Sequence, residues 1–246
     1  IYGLIAVGLT LVYGLLRILH VAHAGLFTLG GYICVIVTNQ TSSFLIAVLT
    51  SMILVGLAGM IIYRICYQPI LDQPPFVPLI ASIGLFIAME ELFRIFFGAY
   101  GLSFTEPPLQ EPLAFMQINL KQAEWLTIAS SVGFVAMLAF LANRTKLGLA
   151  WKATVTDPEI ASSFGVNIIQ VRYLNFFIGS SLAAVSGCMM AVLNNLVEPT
   201  MGSVPSYKML AIIVLGGLGN VPGTLIAAVL LGIIESYGTI YLDDLL

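Results

Sequence analysis

Between Met209 and Ile234 the chain carries no charged residue, yet a glycine-rich break, Gly216-Gly217-Leu218-Gly219-Asn220-Val221-Pro222-Gly223, interrupts the apolar sequence. Lys208 and Glu235 bound the stretch. A core helix of a soluble domain has no need of that length without charge, and a simple anchor has no need of the break. Opened backbone at membrane depth is tolerated only where protein or a water-filled cavity covers it. The pattern therefore predicts a chain that builds a pathway through a bilayer.

Composition agrees with this. Of 246 residues, 59% are hydrophobic and 9% charged, with mean hydropathy +1.03. Soluble domains carry about 25% charged residues, so this chain is an all-α polytopic membrane protein. A net charge of −3 gives no reason to expect a nucleic-acid partner. Cys34, Cys66 and Cys188 lack CxxC spacing and read as small apolar packing residues, so no metal site is expected. Ile1 already lies in an apolar run, and the natural chain is expected to extend at both ends. Residues 1–246 read as one membrane domain.

Charges and polar stretches divide the chain into eight apolar segments. They lie near 1–16, 24–38, 44–63, 76–97, 125–142, 173–197, 206–218 and 222–242. Threading them alternately puts Arg17, Arg64, Arg144, Lys146, Lys152 and Arg172 on one side, against Lys121 on the other. The basic side is read as cytoplasmic. The largest outer loop is then 98–124, long enough for a short interfacial helix, and the largest cytoplasmic loop is 143–172. Glu198, Asp243 and Asp244 fall on the outer side with Glu106, Glu111 and Glu124.

Within the cytoplasmic loop, Asp157-Pro158-Glu159 has the order of a helix start: N-cap, Pro at the first position, then an acidic residue. Ile160, Ala161 and Phe164 continue the helix and Gly165 ends it. Such a helix either lies on the lipid headgroups or docks into a soluble partner. Gly179, Ala183 and Gly187 repeat every four residues, a small-residue face for close helix packing.

Candidate pathway residues are few. His20 and His23 are the only histidines and sit three apart. Two ligands do not make a zinc site, so they are expected to line a polar break near the cytoplasmic side. That break loosely echoes Gly216–Gly223, as corresponding interruptions in two halves of an internal repeat would. Glu90, Glu91 and Arg94 form an intramembrane charge cluster, with Glu90 and Arg94 spaced to pair. The cluster fits contact with a zwitterionic ligand or a structural ion pair. Asn194 and Asn195 fit substrate contact or a headgroup position. No Walker A, GxSxG or HExxH motif occurs, so energy from nucleotide must come from another chain.

Three regions together resemble the permease subunits of branched-chain amino acid ABC importers, nearer the LivH than the LivM type. GLTLVYGLLRILHVAHAGLFTLGGY is similar to the family's GxxxVYGxxxxINFAHGxxxxLGAY through Tyr13, Gly14, Ala22, His23, Leu29, Gly30 and Tyr32. His20 stands where Asn is usual, Ala24 replaces Gly, and Gly25 replaces an often acidic residue. The 146–172 loop resembles the coupling loop through Gly148, Lys152, Ala153, Asp157, Ala161, Gly165, Val166 and Asn167. The third region is Lys208 followed by VLGGLGNVPG, Leu231, Gly232 and Glu235.

The resemblance implies a type II-like ABC importer permease with an inverted repeat in a bacterial inner membrane. It implies a second permease subunit, similar or identical, two cytoplasmic ATPase subunits that hold ATP and Mg, and a periplasmic substrate-binding protein. This chain itself would carry no cofactor. Lys152, Ala153, Asp157, Pro158, Glu159, Ala161 and Gly165 would couple it to the ATPases. The pathway set is His20, His23, Glu90, Glu91, Arg94, Asn194, Asn195, Lys208, Gly216, Gly217 and Gly219. Related permeases in the family import urea or short amides. The rival from another class is an ion-coupled secondary transporter using Glu90, Glu91, Glu235 or the histidines.

Overall fold

The computed structural model describes residues 1–115 and 118–242. Asp243 and Asp244 lie outside the described residues.

Helix α1 (Tyr2–Leu16) is apolar along its length and ends where Arg17 turns left-handed, φ 55°. After a non-helical stretch, α2 (His23–Thr41) follows and is closed by a left-handed Ser42. Helix α3 (Phe44–Ile62) runs on into a π-helical turn, Tyr63–Tyr67, and a 3-10 turn, Gln68–Ile70. Helix α4 (Phe76–Phe97) stops at Gly98. Helix α5 (Gln122–Arg144) starts with a capping box in which the Glu124 carboxylate accepts the Lys121 N–H at 2.8 Å.

Two short helices follow, α6 (Lys146–Thr156) and α7 (Pro158–Ser163). Thr145 and Asp157 cap them through their side-chain oxygens. Helix α8 (Ile168–Asn194), capped by Asn167, is the long central helix. Helices α9 (Ser203–Gly216) and α10 (Val221–Leu242) form a hairpin around the glycine break.

Among the described residues, five helical segments are long and apolar enough to cross a membrane: Phe44–Ile70, Phe76–Phe97, Gln122–Arg144, Ile168–Asn194 and Val221–Thr239. Helices α1 and α9 are shorter. The 15 residues of α1 reach about 22 Å, less than the roughly 30 Å of a hydrocarbon core.

Helix α8 packs against α1, α2 and α3. The small-residue face is divided between two of them. A Cβ on Gly179 would lie 3.0 Å from the Gly8 carbonyl oxygen of α1, whereas one on Gly187 would lie 1.9 Å from the Phe27 carbonyl oxygen of α2. Ala183 between them is fully buried. Gly30 of α2 meets the Ala184 backbone with similar closeness. Asn175 of α8 donates to the Leu11 carbonyl at 2.9 Å, and Ser181 donates to the Met52 carbonyl at 2.9 Å. Side-chain amides and hydroxyls thus join helices that apolar burial alone would not hold in register.

The outer faces of α3, α4, α5 and α10 stay apolar, with Ile46, Ile53, Ile80, Ile95, Phe140 and Ile234 exposed. Such a surface suits lipid or protein neighbours rather than water.

The segment after α4 differs from the expected loop with an interfacial helix. It forms strand β1 (Leu102–Ser103) and a hairpin of β2 (Pro112–Phe115) with β3 (Ile118–Lys121). Strand β1 pairs antiparallel with β4 (Leu196–Val197), so the α8–α9 connection and the α4–α5 connection are joined at one end of the bundle. Asn39 reinforces the joint, donating to the Ser103 carbonyl and accepting the Thr105 N–H.

Candidate functional site

Three polar features interrupt the apolar bundle. The first is the break between α1 and α2. Residues after Arg17 double back, so that His23 packs beside Gly8, halfway along α1, and beside Gly179 of α8. A Cβ at Gly8 would come 2.9 Å from His23 Nε2 and 2.8 Å from the Gly179 carbonyl oxygen. The histidines, expected to line a polar break, are fully buried within the bundle. The non-helical chain after Arg17 returns toward the middle of α1 before α2 begins.

His20 Nδ1 and the Tyr67 hydroxyl are 2.6 Å apart, which ties the break to the π-helical turn after α3. The Ala22 N–H donates to Ser82 Oγ of α4 at 3.0 Å. Phe176 of α8 packs on both His20 and Tyr67. His20 Nε2 and Ser180 Oγ are buried without a hydrogen-bond partner among the described residues.

The second feature is the α9–α10 hairpin. Gly217 and Gly219 hold left-handed φ values of 91° and 84° at its turn. A Cβ on Gly216 would sit 2.5 Å from the Thr224 backbone, so this turn excludes larger residues there. The turn rests on Gly14 of α1, and the Thr10 and Thr224 hydroxyls meet at 2.9 Å. Toward the other end of the hairpin, Lys208 of α9 pairs with Glu235 of α10 and donates to the Tyr2 hydroxyl at 3.2 Å.

The third feature is the α6–α7 loop. A cavity of about 560 Å³ lies between α5, α6 and the hairpin turn. Gly14, Trp151, Lys152, Gly219, Asn220 and Pro222 line it, among others. Lys152 donates to Asn143 Oδ1 at 2.7 Å. In α7 the Asp157 carboxylate accepts the Ile160 N–H at 2.9 Å, with Pro158 and Glu159 in the first turn. The Ala153 carbonyl accepts the Asp157 N–H, and the buried Ala161 takes the Val166 N–H on its carbonyl. Gly165, φ 84°, reverses the chain. Ile160 and Phe164 are left exposed, Phe164 by 85%.

The remaining candidates do not join these features. Arg94 was expected to pair with Glu90, four residues earlier. It pairs instead with Glu91, three residues earlier, at 2.8 Å. Both partners lie on the exposed face of α4, which turns Glu90 aside. Asn194 ends α8 exposed, and Asn195 is its left-handed cap. Among the described residues no group of three or more metal-ligating side chains occurs.

Sequence reasoning overlooked Tyr67, Tyr2 and Trp151 as members of these features. A tyrosine or tryptophan in an apolar run carries no local mark of its partner. Helix α6 was read as polar loop, although Thr145 three residues before Gly148 is a helix-start signal.

The family described as branched-chain amino acid transport system, permease component, matches residues 1–244. The high-affinity branched-chain amino acid transport permease LivH of Salmonella typhimurium is 28% identical, covering 98% of this chain and 83% of that protein. BraD of Pseudomonas aeruginosa, a permease of the same description, is 26% identical over 99% of this chain and 83% of its own length. A probable LivH of Methanocaldococcus jannaschii is 26% identical, covering 97% and 77%. No solved structure matches the chain. With a match that runs from the first residue to the last helix, the chain belongs to the permease-component family of branched-chain amino acid transport systems.

Proposed function

We propose that this chain is the permease subunit of an ATP-driven importer for branched-chain or other small neutral amino acids, with ATP hydrolysed by separate subunits. The observation that carries the reading is the α6–α7 loop. Its helix α6 lines one cavity with the glycine turn of the α9–α10 hairpin, while α7 presents Ile160 and Phe164 outward. A soluble partner that grips α7 can therefore move α6 against the turn. Family membership and the LivH and BraD relatives support the substrate class.

In this reading the bundle crosses the bacterial inner membrane eight times, with the basic loops and α7 in the cytoplasm. The short helix, break and longer helix of α1–α2 correspond to those of α9–α10, as an inverted repeat would arrange them. A second permease, similar or identical, completes the pathway. A substrate-binding protein docks on the β1–β4 end, and ATP with Mg binds the two ATPase subunits. Closure of the ATPases shifts the permease pair between outward and inward states through differential contacts with α7.

The test is Glu159→Lys and Gly165→Val in the assembled importer. Both are expected to abolish uptake and substrate-stimulated ATP hydrolysis while leaving the subunits together. Normal stimulated uptake in both would remove α7 from the coupling path. Uptake indifferent to ATP and abolished by an uncoupler would instead favour the ion-coupled transporter.

A further inference from the structure

Lys208 and Glu235 are an ion pair set in otherwise uncharged helices. Ionisable residues in such segments are costly and mark ligand pathways or partners. The pair is not sealed: the Lys208 side chain is 16% exposed and that of Glu235 38%. Tyr2 joins the pair to a cavity. Its hydroxyl accepts from Lys208, its ring lies 4.6 Å from the ammonium, and it lines an apolar cavity of about 500 Å³ between α1, α5 and α10. Leu225, Ala228 and Gly232 of α10 line the same cavity. Glu235 continues their three-and-four-residue spacing, so it stands on the same face one turn beyond Gly232.

We propose that this is a substrate site of the permease, in which the Lys208–Glu235 pair opens to take the head of a zwitterionic amino acid. The proposal rests on the amino acid reading above. The ligand carboxylate replaces Glu235 on the Lys208 ammonium and the Tyr2 hydroxyl. The ligand ammonium replaces Lys208 on the Glu235 carboxylate. No charge is left unpaired in either state, whereas a ligand with a single charge would strand one partner in apolar surroundings. The side chain then enters the apolar cavity, which sets the preference for branched aliphatic groups. A zwitterionic phospholipid with an ethanolamine headgroup shares this chemistry, and the experiment separates the two.

The full-length chain is assembled with its partner subunits and binding protein in liposomes. Leucine and alanine uptake are measured well below saturation, together with stimulated ATP hydrolysis. The double variant Lys208→Met with Glu235→Leu replaces the pair by apolar groups of similar size, a change that helix packing commonly tolerates. Loss of charge-assisted contacts to the ligand is expected to lower uptake of both amino acids by about tenfold or more, with assembly and ATP hydrolysis retained. Uptake equal to wild type overturns the site.

Gly232→Leu decides independently, including where the double variant does not assemble. A Cβ there meets nothing within 4 Å, so the new side chain enters the cavity without a clash at its root. Leucine uptake is expected to fall about tenfold relative to alanine, since a side chain the size of leucine loses its burial. An unchanged ratio overturns the proposal. An unchanged ratio accompanied by release of a tightly bound ethanolamine phospholipid overturns it in favour of a lipid site. A wild-type importer that moves neither amino acid overturns the proposed function itself, whereas import unaffected in both variants overturns only the site.

Discussion

Gly187→Ala tests the contact on which the bundle is built. The added methyl would stand 1.9 Å from the Phe27 carbonyl oxygen, 2.9 Å from its carbon and 3.1 Å from the Gly31 nitrogen. All three atoms are backbone of α2, so no side-chain rotation relieves the clash. Real Cβ contacts stay beyond 3.0 Å, so α2 and α8 must part by about 1 Å in a close-packed interior. Overpacking of this kind costs about 1–3 kcal/mol. Gly133→Ala in α5 is the control: its Cβ meets nothing within 4 Å, and alanine favours the helix by about 1 kcal/mol. For a chain of this size, a loss of about 2 kcal/mol lowers the melting temperature by about 4–8 °C. Thermal unfolding of the full-length chain in mild detergent, followed by tryptophan fluorescence, reads the difference. Gly187→Ala melting as high as Gly133→Ala would refute the α2–α8 backbone contact and the packing account with it.

The other perturbations concern polar groups. Tyr67→Phe removes the partner of a buried His20 nitrogen and is expected to cost about 1–3 kcal/mol, visible in the same melting assay; no change would mean that water replaces the hydroxyl freely. Asp157→Ala removes the α7 N-cap, costing about 1 kcal/mol locally. It should weaken stimulated ATP hydrolysis far more than it lowers the melting temperature, and the reverse pattern would place Asp157 outside the coupling path. Lys208→Met alone leaves Glu235 without its partner, so it should melt lower than the double variant with Glu235→Leu. A single variant as stable as the double would mean that the ion pair does not hold α9 to α10.

Local signals in the sequence were legible, and long-range pairings were not. Asp157-Pro158 and Gly165 mark the start and end of α7 because capping depends on residues three or four apart. The glycine break could be read because a run of Gly in an apolar stretch has no other use there. Lys208 and Glu235 could be read as its boundaries, but their pairing needs the hairpin to bring residues 27 apart into contact. Glu90 and Glu91 offered Arg94 equivalent partners by spacing, and only the orientation of α4 chose between them. The packing of His23 against the middle of α1 was hidden because nothing local says that residues 17–22 double back. Strands β1 and β4 are two residues each and exist through pairing across the bundle, which no periodicity can reveal.

Purification of the full-length chain from its native membrane in mild detergent, with mass spectrometry of the bound subunits and ATP-driven leucine uptake after reconstitution, decides whether the chain works as the permease of an ATP-driven importer. A co-purifying soluble chain with a GxxxxGK[ST] motif is expected, with uptake that requires both ATP and the binding protein. A chain that purifies alone across several detergents and moves leucine without ATP would contradict that role.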